Sequence, residues 1–172
     1  MLNSRLQRKF LRAPLKSIVL YIDGEHVLKG KAINVSEGGI LLSELPHIPE
    51  HDIVSMAIDL VEYPTFNGMS LEKLKCLVKG DFHRTILKTK VKIVRSFENK
   101  TNVELVFASS IGCEFFNIAP ESKVTIFKYI ETFTKNTVYL LSLFESLTKR
   151  NEQLEVLRVV SQLLGYDHRM KI

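Results

Sequence analysis

The sequence is short of the features that mark several common protein classes. Its two cysteines, Cys76 and Cys113, lie far apart and form no CxxC pair. They read as core residues or as free thiols of a reducing compartment rather than as a disulfide. No apolar run approaches the roughly 18 residues of a membrane-spanning helix. The run "SIVLYI" that follows the basic N-terminus is too short for a signal sequence and has no small-residue cleavage site after it. A cytoplasmic protein is therefore expected. There is no Walker loop and no dinucleotide fingerprint, and Ser109-Ser110 lack the GxSxG surround of a hydrolase elbow. Asp52, Asp59 and Glu62 are separated carboxylates. His47 and His51 stand four apart beside Glu50 and Asp52, but Pro46 and Pro49 rule out the helix that would aim both at one metal. His26, His83 and His168 are isolated. The expectation is a protein without catalytic residues, metal or cofactor.

What remains is ordinary globular material with a basic lean. The 172 residues suffice for one domain with an appendage. Hydrophobic residues make up 45% and charged residues 25%, which argues against wholesale disorder. A net charge of +5 favours an anionic ligand without reaching the excess of a nucleic-acid coat.

Most of the chain is patterned as strands. "LKSIVLYI" (15–22) is β-branched and aromatic, Asp23-Gly24 is a hairpin signal, and "HVLKGKAINV" (26–35) supplies the partner. "ILLSEL" (40–45) and "DIVSMAIDL" (52–60) follow. Residues 61–83 read as a loop, within which "LEKLKCLV" fits a short helix or a strand. In "LKTKVKIVRSF" (87–97), Thr89, Val91 and Ile93 alternate with Lys88, Lys90 and Lys92. That is a half-buried strand with one solvated basic face; no aromatics interleave with the lysines as a nucleic-acid stacking platform requires. "ENKTN" is a turn, and "VELVF" and "IGCEFFN" complete six or seven short strands, the signature of a sandwich or small barrel.

From Pro120 the pattern becomes helical. "PESKVTIFKYIETF" opens with a helix start and places Val124, Phe127, Ile130 and Phe133 on one face. "TKNT" is expected to interrupt it. A longer helix over 137–164, closed at Gly165, carries Leu140, Leu143, Leu147, Leu154, Leu157 and Leu164. That leucine series fits packing within the chain or self-association.

Two short stretches point to a ligand. "QRKFLRAP" (7–14) places Arg8 and Arg12 four apart just before the first strand, with Pro14 as a natural hinge. Guanidinium forks grip phosphate oxygens or the O6/N7 edge of guanine. "INVSEGGI" (33–40) sets Asn34, Ser36, Gly38 and Gly39 in a turn between apolar strands. The amide and hydroxyl offer donors and acceptors, and the glycine pair permits positive φ and close approach of backbone to ligand. Read alone, this is more readily a plain β-turn.

In order and context, "RKFLR" followed by "NVSEGG" resembles the RxxxR…[D/N]xSxxG signature of PilZ domains, and "IGCEFFNIAPES" is similar to that family's last strand and helix entry. The resemblance covers roughly residues 5–133. It implies a six-stranded antiparallel split β-barrel that binds the bacterial second messenger cyclic diguanylate (c-di-GMP). Carried over, Arg8 and Arg12 are arm contacts, and Asn34, Ser36, Gly38 and Gly39 barrel contacts. Asn34 stands where many members have Asp. Gln7 precedes the motif in place of a basic residue, which leaves open one bound ligand or a stacked pair. Arg5, Gln7 and Lys9 are additional candidate contacts.

The organisation expected is a flexible basic arm over 1–14, a barrel over 15–119 and a helical extension over 120–172. The function expected is a c-di-GMP receptor that changes conformation and regulates an unidentified effector protein, with self-association through 137–164 as a further possibility and no nucleic-acid polymer as partner. A ligand-independent adaptor working through its C-terminal helices is the alternative. A basic barrel binding RNA is a third, distinguished by a steep salt dependence.

Overall fold

A computed structural model describes residues 10–78, 82–97 and 109–163. Seven strands occur there: β1 (Arg12–Pro14), β2 (Ile18–Asp23), β3 (His26–Ser36), β4 (Gly39–Leu45), β5 (Ile53–Val61), β6 (Arg84–Phe97) and β7 (Ser109–Phe116). All pairings are antiparallel, in the order β3-β2-β5-β6-β7-β4, and β4 returns to β3. The result is a closed six-stranded barrel, with β1 as a seventh strand laid on the end of β3 beyond β2.

Closure follows from the period-2 patterns. In β5, Val54, Met56, Ile58 and Leu60 all turn inward. They meet Val19 and Tyr21 of β2, Leu42 of β4, Leu87 and Val91 of β6 and Ile111 of β7 in one core. Lys88, Lys90 and Lys92 stand outside on β6, as expected of a solvated basic face. The segment "VELVF" and the turn before it lie outside the described residues.

Three helices complete the fold. "LEKLKCLV" resolves as a helix, α1 (Leu71–Leu77), because Ser70 caps it by accepting from the Lys73 N–H. α2 spans Pro120–Ser146 and α3 Arg150–Leu163. This corrects two expectations. "TKNT" does not interrupt α2: the Thr134 and Thr137 hydroxyls bond back to the carbonyls of Ile130 and Phe133, and Lys135 pairs with Glu131 one turn earlier. The polar side chains are thus absorbed by the helix instead of competing with it. The break falls at 147–149, so the leucine series is not one continuous seam.

The buried face of α2 also differs from the one expected. Ile126, Tyr129, Ile130, Asn136 and Leu140 are buried, whereas Val124 and Phe127 face solvent. Ile126, Tyr129 and Ile130 join the barrel core. Further along, Leu140 packs with Val159 of α3, Leu74 of α1 and Phe66. Asn136 secures that second cluster: its side chain accepts from the Phe66 N–H at 2.9 Å and donates to the Pro64 carbonyl at 2.9 Å.

Candidate functional site

One end of the barrel wall carries a cleft of about 440 Å³, and the turn after β3 forms part of its rim. Its construction can be followed strand by strand. Arg12 on β1 lies opposite Ser36 on β3, Ser36 opposite Gly39 on β4, and Gly39 opposite Glu114 on β7. A second row runs Pro14, Asn34, Leu41, Gly112, Arg95 across β1, β3, β4, β7 and β6. Between the rows, Ala13, Val35, Ile40 and Cys113 are buried in the core. Arg12, Asn34, Ser36, Gly38 and Gly39, all expected from sequence, line this one cleft together. Arg5, Gln7, Arg8 and Lys9 lie outside the described residues.

Two β-bulges decide which side chains reach the cleft. In β3 the register with β4 shifts between Ala32 and Asn34. Strict alternation from buried Ala32 would turn Asn34 inward; the extra residue, Ile33, sends it out to the cleft instead. In β6 the register with β7 shifts between Ile93 and Arg95, and Arg95 is likewise re-aimed outward past Val94. Arg95 was missed in the sequence because plain alternation assigns it to the inside; a bulge in a run of β-branched residues leaves no compositional mark.

The turn owes its shape to close packing. A Cβ on Gly39 would lie 1.9 Å from the Cys113 carbonyl oxygen, so β4 and β7 can approach there only with glycine. A Cβ on Gly38 would lie 2.8 Å from the Phe10 ring, which covers the turn. Neither glycine has positive φ; of the two roles the sequence offered, close approach is the one used. Two bonds brace the loop: the Ser36 hydroxyl donates to the Gly39 carbonyl at 3.3 Å, and the Phe115 N–H donates to the Gly38 carbonyl at 3.1 Å.

Arg12, Arg95 and Glu114 are the charged groups of the described lining, giving it a net positive character. Cys113 also lines the cleft, but burial pushes its thiol up to about 12, so it stays protonated at neutral pH and is a poor nucleophile. Pro14, expected to be a hinge, is held in β1: it lies opposite Asn34, and its carbonyl accepts from the Tyr129 hydroxyl of α2 at 2.8 Å.

The histidine pair set aside as a metal site has a different use. The nearly buried Asp23 carboxylate contacts His51 Nδ1 at 2.8 Å and His47 Nε2 at 3.3 Å, and accepts from the Glu50 N–H at 3.1 Å. These bonds hold Asp23 down at about 2, the His51 contact first among them. The cluster ties the β4–β5 loop to the β2–β3 hairpin. No metal-holding group of three such side chains occurs among the described residues.

The chain is thus a closed antiparallel six-stranded barrel with a polar cleft at the β3–β4 turn. The PilZ domain family matches residues 6–132, and the chain belongs to that family. The fold is similar to that of Bacillus subtilis inhibitor of motility, MotI/DgrA, with 14% identity and a TM-score of 0.52 over 77% of this chain; the match spans 51% of the MotI/DgrA chain, about half its length. Other similar structures are the PilZ domain of Escherichia coli YcgR with c-di-GMP, at 10% identity and a TM-score of 0.48 over 82% of this chain and 99% of that one, and Borreliella burgdorferi PlzA in complex with c-di-GMP, at 13% identity and a TM-score of 0.40 over 86% and 56%. No curated protein sequence matches the chain.

Proposed function

We propose that this protein is a c-di-GMP receptor whose binding site is the cleft at the β3–β4 turn. The observation that carries the reading is the convergence of Arg12, Asn34, Ser36, Gly38 and Gly39, distant in sequence, on one outward-facing cleft. Membership of the PilZ family supports the choice of ligand. The Arg12 fork, with Arg8 four residues before it, grips phosphate and the guanine O6/N7 edge. The Asn34 amide presents a donor and an acceptor to a base edge, and the bare Gly38–Gly39 backbone lets the ligand approach closely. Ligand charge offsets the mutual repulsion of Arg5, Arg8, Lys9 and Arg12, which lie close together in the sequence.

A direct connection supports signalling to an effector. Arg12 and Pro14 share β1, and the Pro14 carbonyl is bonded to Tyr129 on α2. A ligand that shifts β1 by gripping Arg12 therefore acts on the helical layer, where Val138, Leu141, Leu154 and Leu157 are exposed. Such a shift occurs only to the extent that the ligand prefers one state over the other. The reading is a binding function and not catalysis.

Calorimetric titration with c-di-GMP tests it. The wild-type protein is expected to bind. Arg8→Ala/Arg12→Ala is expected to lose several hundredfold or more in affinity, at about 1–3 kcal/mol per guanidinium. A folded wild-type protein that gives no heat at high ligand concentration overturns the proposal.

A further inference from the structure

Arg95 is the one charged residue of the second cleft row, and three features of the fold serve to place it. The bulge at Val94 turns it outward from a position that alternation would bury. Its stem and Nε then lie across Gly112, so closely that a Cβ on residue 112 would stand 2.7 Å from Nε and 2.9 Å from Cγ. Its guanidinium carbon sits 5.7 Å from the centroid of the Phe97 ring, a cation–π contact that steadies it. The same row includes Asn34, which a second bulge turns onto the same face. Two interruptions of the ladder, one on β3 and one on β6, thus bring two planar polar groups to one cleft.

We infer that Arg95 is a further ligand contact, its guanidinium plane stacking on a guanine base of the bound dinucleotide. A planar guanidinium steadied beside an aromatic ring is suited to stack on a purine, which a lysine ammonium cannot do. Gly112 is the positioning residue: its missing side chain is what allows Arg95 to lie along the barrel wall. This inference rests on reading the cleft as a c-di-GMP site, and it assigns the specificity of that site in part to β6 and β7, outside the two motifs.

The test is c-di-GMP titration of wild type, Arg95→Ala, Arg95→Lys, Gly112→Ala and the Arg95→Ala/Gly112→Ala double variant, each checked for cooperative unfolding. Arg95→Ala is expected to weaken binding by about tenfold or more, the scale of losing one stacked base, and Arg95→Lys to recover little of that loss. Gly112→Ala is expected to weaken binding in the wild-type background and to cost nothing further on top of Arg95→Ala. Because the three nearest atoms to the new methyl all belong to the Arg95 side chain, that variant displaces Arg95 without opening the barrel. Wild-type affinity in Arg95→Ala overturns the inference while leaving the receptor reading intact. Full recovery in Arg95→Lys overturns the stacking role, since charge alone then suffices. Absence of binding by the wild type removes the receptor reading, and this inference with it.

Discussion

Gly39 carries the strictest requirement of any residue in the cleft, because the atom that would meet its Cβ is a backbone oxygen held in the β4–β7 ladder. Gly39→Ala is expected to destabilise the barrel by about 1–3 kcal/mol, the usual cost of overpacking, and to lower c-di-GMP affinity as well; urea unfolding and calorimetry read the two effects. Arg12→Ala is expected to do the reverse, leaving the unfolding free energy within about 0.5 kcal/mol of wild type, as surface substitutions do, while binding falls roughly tenfold or more. The residues legible in the sequence were those whose chemistry is local. Arg12, Asn34, Ser36, Gly38 and Gly39 could be named because a turn and an arginine spacing are short-range signals. Arg95, Gly112 and Phe10 could not. Their roles exist only once β6 and β7 are in register and the ring of Phe10 has settled on Gly38.

Among the elements, strands were easier to read than helices, and the reason is visible in α2. The period-2 alternation of β5, and of β6 as far as Ile93, reports burial directly, since each strand has one face on the core. For α2 the polar stretch Thr134–Thr137 has the composition of a loop, yet in place it is a docking point: Asn136 satisfies the Phe66 N–H and the Pro64 carbonyl. A helix that must bond a neighbouring loop needs a polar residue on its buried face, and hydrophobic patterning scores that residue as a break. Asn136→Ala leaves two backbone groups without those partners and is expected to cost about 2 kcal/mol or more, read as a lowered urea midpoint with the barrel strands still formed. The β4–β5 loop has its own signature in pH. The Asp23 carboxyl is held at about 2, below its ordinary value of 3.8. Its contribution is therefore fully present above about pH 4 and is lost as pH falls through 2. Acid titration of stability is expected to show that loss in wild type and not in Asp23→Asn, which starts out less stable at neutral pH.

At the scale of the whole molecule, the cleft proposed to take c-di-GMP and the helical layer meet at the strand that bears Arg12. The Tyr129 hydroxyl joins α2 to the Pro14 carbonyl, while the Tyr129 ring stacks on Phe133 along the same helix. Tyr129→Phe keeps the ring and removes the bond. It is expected to bind c-di-GMP nearly as wild type does and to lose part of the ligand-induced hydrogen-exchange protection in α2 and α3. Where the ligand sits is best read by amide chemical-shift mapping during titration with c-di-GMP. Shifts are expected to concentrate at Arg12, Asn34–Gly39, Arg95 and Gly112–Phe115, with Leu20 and Ile22 on the outer face of β2 unmoved. Binding that instead perturbs the face around Leu20 and Ile22, or the α2–α3 pair alone, while the β3–β4 turn stays silent would contradict this placement.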